Sequence, residues 1–279
     1  MNIGIRLHDT LPGTLAQRLM YARQQRFSCA HLAMSKAVPG FAMADAPALL
    51  TEELAEQVRA DFEAQDMACA VLGCYLNLAD PDPERRERTQ AIYRAHLRFS
   101  RMMGASVVGT ETPANRESTF EVPAPESEEA FRLFIDSVRP VVRFAEEEGA
   151  ILAIEPVATH IVSTPERAER MLDELNSDSV QIILDAVNLL CPANEERAQE
   201  VIDEAIRRLG DRAMVLHMKD YQMASGALKA CACGTGVMRY DSLLRLAKAR
   251  NLPMTLENTT PDNAEQARLY LETMAAQMK

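Results

Sequence analysis

Short runs of apolar, often β-branched residues alternate along the chain with longer stretches of helical periodicity. The helical pattern is clearest at residues 84–103 and 128–148, where apolar side chains recur every three or four positions. Eight strands are predicted between such stretches: Asn2–Leu7, Cys29–Ala33, Ala68–Gly73, Ser106–Glu111, Ala150–Pro156, Val180–Asp185, Ala213–Lys219 and Pro253–Asn258. Strands that alternate with helices form parallel sheets. Eight units in 279 residues fit an α/β (β/α)8 TIM barrel, with a single domain over residues 1–279.

The main alternative is an open, doubly wound sheet. Such sheets usually carry a glycine-rich phosphate loop after the first strand. Here the segment HDTLPG (residues 8–13) follows the first predicted strand and has no repeated glycine, so the closed barrel is favoured. Glycines at 104, 149 and 210 are predicted to end three helices, because glycine accepts the left-handed conformation of a helix end.

The last four predicted strands each place one acid or histidine in apolar surroundings, and these residues are Glu155, Asp185, His217 and Glu257. Neighbouring members are 30, 32 and 40 residues apart, about one βα unit each. Because the active sites of this fold lie at the C-terminal strand ends, the four side chains are expected to converge. Taken singly, each also has a structural interpretation: a helix cap, a core histidine or the partner of an arginine.

Three carboxylates in one buried pocket would repel one another without a cation. We therefore expect one divalent metal ion, held by the three carboxylates and the imidazole. An oxygen-rich ligand set favours Mn²⁺, with Mg²⁺, Co²⁺ or Zn²⁺ also compatible.

Other polar residues close to the predicted strand ends are candidates to contact a substrate: His8, Glu111, His160 and Lys219. His160 follows Glu155 by five positions, and its alternative is a solvent-facing loop histidine. Lys219 lies two positions after His217, on the same face of the strand, and could instead form a structural ion pair with Asp220 or Glu257.

The acidic composition argues against some classes of binding partner. A formal net charge of -11 repels phosphate backbones, so nucleic acid is not expected to bind. No apolar run approaches the roughly 20 residues that span a bilayer, and the N-terminal residues do not resemble a signal peptide. The six scattered cysteines are expected to be reduced thiols, which favours the cytoplasm. The isolated pair Cys231 and Cys233 lacks a second pair that would complete a thiolate metal site.

Several motifs together resemble the xylose isomerase-like barrel superfamily, which includes the sugar phosphate isomerases and epimerases. The motifs are IEPV (residues 154–157), LD (184–185), LHMKD (216–220), GTG (234–236) and LEN (256–258). The resemblance covers nearly the whole chain and is strongest after residue 150. It implies that Glu155, Asp185, His217 and Glu257 are the metal ligands.

The resemblance also implies a reaction. Glutamates at the positions of Glu155 and Glu257 lie on opposite faces of a ketose, ketose phosphate or inosose. One removes a proton from the carbon next to the carbonyl, and the metal stabilises the enediolate oxygen. Return of the proton to the opposite face gives an epimer, and transfer to the adjacent carbon gives an isomer. The expected activity is therefore that of a metal-dependent sugar isomerase or epimerase in carbohydrate metabolism.

Two members of the superfamily fit less well. Ketose 3-epimerases carry a histidine that touches substrate three residues after the Asp ligand, where this chain has Asn188. The amide of Asn188 can still bond a substrate hydroxyl. Endonuclease IV needs several zinc ions and many histidines, whereas this chain has five histidines. A dehydratase on the same site and a non-catalytic sugar-binding or partner subunit stay open, as does assembly into a homo-oligomer.

Overall fold

The computed structural model describes residues 1–113 and 123–278. Eight parallel strands close into a barrel in the order β1-β10-β7-β6-β5-β4-β3-β2. The barrel strands are β1 (Ile3–Arg6), β2 (Cys29–Leu32), β3 (Ala68–Gly73), β4 (Val108–Glu111), β5 (Leu152–Glu155), β6 (Val180–Asp185), β7 (Ala213–Met218) and β10 (Met254–Leu256). Each lies inside a predicted strand or coincides with it, so the predicted TIM barrel is confirmed.

The helices surround the barrel. They are α1 (Leu15–Gln24), α2 (Met34–Ala37), α3 (Ala46–Leu49), α4 (Glu52–Ala64), α5 (Pro83–Met103), α6 (Glu128–Glu148), α7 (Pro165–Leu175), α8 (Ala198–Leu209), α9 (Asp241–Arg250) and α10 (Ala264–Gln277). In the part of the chain that the structure describes, four single 3-10 turns accompany them, at Leu7–Asp9, Met43–Asp45, Glu195–Arg197 and Gly210–Arg212. Within the described residues, no helix is both long and apolar enough to cross a membrane.

Two of the three predicted glycine helix ends are confirmed. Gly104 and Gly149 follow α5 and α6 with left-handed backbones, at φ +82° and +63°. The prediction is wrong for Gly210, which keeps right-handed helical angles because the chain continues into a 3-10 turn before β7.

The inside of the barrel is filled by a cluster of small and branched side chains: Cys29, Ala70, Val71, Val107, Ala153, Ile183 and Val215. Glu155, Asp185 and His217 each stand two positions after a member of this cluster. Because side chains two apart on a strand share a face, all three point toward the barrel axis at its C-terminal end.

A two-stranded antiparallel hairpin, β8 (Asp220–Ala224) and β9 (Ala227–Cys231), follows β7 and was not predicted. The buried carboxylate of Asp220 anchors the loop that follows the hairpin. It accepts backbone N–H bonds from Tyr221, Gly234 and Met238 at 2.8, 3.0 and 2.8 Å. The GTG motif therefore belongs to a loop that the carboxylate of Asp220 holds in place.

Candidate metal centre

Strand register brings the four predicted ligands together. Asp185 on β6 pairs with His217 on β7, and His217 pairs on its other side with Thr255 of β10, two residues before Glu257. Glu155, Asp185, His217 and Glu257 are 1%, 0%, 2% and 6% exposed. Such burial is unusual for acids and requires partners for their charges.

The carboxylates surround one nitrogen of His217. Its Nδ1 lies 3.0 Å from Glu155 Oε2 and 3.3 Å from Glu257 Oε1. Ligand atoms of Glu155, Asp185 and His217 all lie within 4.8 Å of one another. Neither ring nitrogen of His217 has a hydrogen bond of acceptable geometry to any described residue.

These separations fit a metal ion. Ligand atoms held about 2.0–2.2 Å from one ion lie roughly 3.0–3.5 Å from each other. The donor set of carboxylate oxygens and one imidazole nitrogen suits a hard or borderline divalent cation. The residues present therefore fit the metal that the sequence predicts.

Lys219 supplies a positive charge that contacts two of the carboxylates. Its Nζ lies 2.8 Å from Asp185 Oδ2 and 3.2 Å from Glu257 Oε2. The sequence allowed an ion pair with Asp220 or Glu257. The structure shows the pair with Glu257, and it shows Asp185 as the second partner in place of Asp220. A histidine that binds a metal ion is neutral, because the ion takes the place of its proton. With Lys219 charged and His217 neutral in that form, the three carboxylates would leave two negative charges, which one divalent cation would neutralise.

The surroundings shift the pKa values of these groups in different directions. Burial alone would lower the pKa of His217, but the carboxylates of Glu155 and Glu257 raise it to about 9. Burial raises the pKa of Asp185 to about 6 against the opposing charge of Lys219. Burial also disfavours the charged form of Glu257, yet His217 and Lys219 hold the pKa of that carboxyl below its usual range. The site is therefore a strongly coupled group of charges.

Arg6 and His31 belong to the site but were missed by sequence reasoning. Arg6 closes β1, bonds Asp9 through Nε and Nη2 at 3.0 and 3.2 Å, and lies 3.5 Å from Glu257 Oε2. His31 on β2 is 2% exposed and stacks on His217, with ring centroids 5.3 Å apart and planes inclined by 16°. In β1 and β2 each follows an inward-facing small residue by two positions, and this spacing was the available signal.

His31, His217 and Glu257 form a second triad with ligand atoms in reach of one another. Its geometry is poorer for a metal, because the lone pairs of imidazole nitrogens lie in the ring plane. In the nearly parallel stack of His31 on His217 they point side by side and do not converge. The triad of Glu155, Asp185 and His217 is the better ligand set, and Glu257 Oε1 lies 3.3 Å from the same nitrogen of His217 as its fourth member.

Tyr75 completes the aromatic side of the site. Its ring stacks on His31 at 5.8 Å, and its hydroxyl lies 3.5 Å from His31 Nε2. Gly73 makes room for both rings, since a Cβ there would lie 2.7 Å from His31 Nε2 and 2.9 Å from the Tyr75 ring.

A cavity of about 520 Å³ opens above the charged cluster. Its walls are formed by fifteen residues, which include the predicted substrate contacts His8, Glu111, Asn188 and Lys219 together with Glu257. His160 stands beside this group, with Nδ1 3.7 Å from Glu111 Oε2. The structure thus brings the predicted substrate-contact residues to one end of the barrel.

Two of these residues have altered pKa values. Burial and the Glu155 carboxylate raise the pKa of Glu111 to about 7. Burial, together with the charges of Arg6 and Lys36, lowers the pKa of His8 to about 4, so this imidazole is neutral near pH 7. Asn188 was expected to bond a substrate hydroxyl. In the structure its amide Nδ2 instead donates a hydrogen bond to Glu155 Oε1 at 2.5 Å.

A closed parallel barrel with its polar site at the C-terminal strand ends defines the TIM-barrel class. Residues 34–277 match the family model described as xylose isomerase-like TIM barrel, and the chain belongs to that family. No curated protein matches the chain by sequence.

Three solved structures illustrate the likeness of fold. The 3-keto-D-glucoside 4-epimerase YcjR from E. coli is 20% identical over 98% of this chain and 99% of its own, with a TM-score of 0.75. The IOLI protein, solved with a bound zinc atom, is 17% identical over 99% and 97%, with a TM-score of 0.71. The probable 3-DHS dehydratase AsbF from Bacillus anthracis is 11% identical over 99% and 100%, with a TM-score of 0.73.

Proposed function

We propose that this protein is a metal-dependent isomerase or epimerase of a small polyol ketone: a ketose, a ketose phosphate or an inosose. The observation that carries the proposal is that Glu155 and Glu257 both flank His217 Nδ1, and that Glu257 lines a cavity beside them. Pure sugar binding does not need two buried acids at one centre. The names of the neighbouring structures, an epimerase and a probable dehydratase among them, support this class of chemistry.

Glu155, Asp185, His217 and Glu257 would hold one divalent ion, and Mn²⁺ is our first choice among Mn²⁺, Mg²⁺, Co²⁺ and Zn²⁺. When bound, the ion supplies positive charge beside the substrate carbonyl and so eases loss of the neighbouring proton. Lys219 keeps part of the carboxylate charge balanced from the cavity wall.

Glu155 and Glu257 are the proposed proton-transfer groups. A carboxylate in hydrogen-bond reach can take a proton from the carbon next to the carbonyl. If the other glutamate returns a proton to the opposite face, the product is an epimer. If the proton goes to the adjacent carbon, the product is an isomer. His8, Glu111, His160 and Lys219 are the proposed substrate contacts. Asn188 was expected among them, but its side-chain amide is bound to Glu155.

A dehydratase is the second candidate, and the position of Lys219 favours it. This buried ammonium lines the cavity, so its positive charge could stabilise the oxygen of a hydroxyl that departs after the first proton is removed. Elimination would then replace return of the proton.

The test is a screen of ketoses and inososes in D₂O with Mn²⁺-loaded protein. The proposal predicts deuterium at the carbon next to the carbonyl, together with a new epimer or isomer, and no reaction after chelation. Loss of water with a new conjugated enone would assign the dehydratase instead. Binding of a sugar with no exchange at any carbon would contradict both and indicate a non-catalytic subunit.

A further inference from the structure

Asn188 contacts two of the proposed ligands at once. Its side-chain Nδ2 donates to Glu155 Oε1 at 2.5 Å, and its backbone N donates to Asp185 Oδ1 at 3.0 Å. Its carbonyl accepts a bond from Ala158 N at 2.7 Å, which ties it to the loop after β5. Three hydrogen bonds therefore hold Asn188 beside the charged centre.

Each of the two bonds to Asn188 uses one oxygen of a carboxylate and leaves the other oxygen free of Asn188. Glu155 gives Oε1 to Asn188 and keeps Oε2 beside His217 Nδ1. Asp185 gives Oδ1 to Asn188 and keeps Oδ2 for the inner cation, Lys219. In both ligands one oxygen accepts a hydrogen bond from Asn188, and the other lies beside a charged group of the site. An amide nitrogen can only donate, so it holds Glu155 in this rotation without exchanging a proton with it.

We propose that Asn188 is a positioning residue, whose amide fixes the Glu155 carboxylate so that only Oε2 is presented to the metal site. This inference rests on the proposed function in that Glu155 is taken as a ligand and proton-transfer group. Partners that orient metal ligands commonly change metal affinity or activity by about 10–100-fold when they are removed. The role differs from direct substrate contact, because Asn188 then acts through Glu155.

The variant Asn188→Leu removes the side-chain donor and keeps both backbone bonds. We expect the Kd for Mn²⁺, measured by calorimetry without substrate, to rise about 10–100-fold. We also expect kcat to fall and KM to stay within about twofold, since substrate binding is not what the change removes. Asn188→His retains an N–H donor and should recover part of both losses. Gln57→Leu, which makes the same kind of amide-to-leucine change at an exposed position of α4, is the matched control and should leave the Mn²⁺ Kd unchanged.

A crystal structure of Asn188→Leu makes the test independent of turnover and of metal. The Glu155 carboxylate should rotate away from its place beside His217. If Glu155 keeps its place and Mn²⁺ binds normally, or if only KM rises, the positioning role is refuted. If the unaltered protein binds no Mn²⁺, the proposed function fails at that step, and the position of Glu155 in the variant crystal still decides the role of Asn188.

Discussion

At the scale of single residues, the two glutamates beside His217 make the sharpest prediction. Replacing either by glutamine keeps the shape and one coordinating oxygen but removes the proton acceptor. General acid–base groups contribute about 10² to 10⁴ in rate. We expect Glu155→Gln and Glu257→Gln to lower kcat by at least about 10²-fold at saturating Mn²⁺. The exposed change Glu56→Gln should leave kcat unaffected.

Deuterium exchange then separates the two glutamates. If each glutamate acts on one face of the substrate, each glutamine variant can still exchange deuterium into one epimer. It would, however, no longer convert one epimer into the other. Near-normal turnover of either variant under metal saturation would show that its carboxylate is only a ligand. Proton transfer would then pass to another group, and His160 and Lys219 are the first to examine.

Lys219 is predicted to replace part of the missing positive charge in the metal-free protein. Removing one partner of a buried ion pair typically costs about 3–5 kcal/mol. Lys219→Met should therefore lower the free energy of unfolding by about 3 kcal/mol in the presence of a chelator, as measured by urea denaturation. Saturating Mn²⁺ should recover much of this loss. The exposed Lys229→Met is the control, and an equally small effect of both changes would contradict the role of Lys219.

At the scale of elements, strand alternation explains both what the sequence predicted and what it missed. The four ligands were found because long apolar strands end in a lone acid or histidine. Arg6 was missed because β1 ends at Arg6, one residue before the end of the predicted strand, and the 3-10 turn then carries His8. His31 was missed because a single histidine in a short strand is more often part of the core.

The β8–β9 hairpin could not be predicted from periodicity alone. Its strands are mostly exposed or half-buried, so they lack the apolar run that marks the barrel strands. The hairpin is held in place instead by the long-range hydrogen bonds that Asp220 accepts from the loop after β9. Such contacts become visible only when the residues are already close in space.

Gly236 tests how firmly that loop is held. A Cβ at this position would collide with the backbone oxygen of Tyr221 and with the Asp220 carboxylate. Overpacking against groups that cannot move costs about 1–3 kcal/mol, so Gly236→Ala should lower the free energy of unfolding by about that amount. Gly210→Ala is the matched control, because its Cβ would come no closer than 3.4 Å to Leu246 Cδ1. Equal thermal midpoints for the two variants would refute the tight packing of the loop.

At the scale of the whole molecule, the charge balance bears on the choice of partner. With a net charge of -11, the chain should show no binding or nicking of abasic duplex DNA below about 100 µM at physiological salt. A gel-shift and nicking assay is the measurement. Cleavage of the duplex would move the protein to the endonuclease branch of its family.

One measurement tests the metal centre most directly: anomalous diffraction from a crystal soaked in Mn²⁺. Because the donor atoms around His217 Nδ1 lie at the spacing of metal ligands, we expect a single strong peak within about 2.0–2.3 Å of oxygens from Glu155, Asp185 and Glu257 and of His217 Nδ1. Lys219 should then have moved away from the ion. No peak at this place, or a peak bound mainly by other residues such as Cys231 and Cys233, would contradict a metal site formed by these four residues.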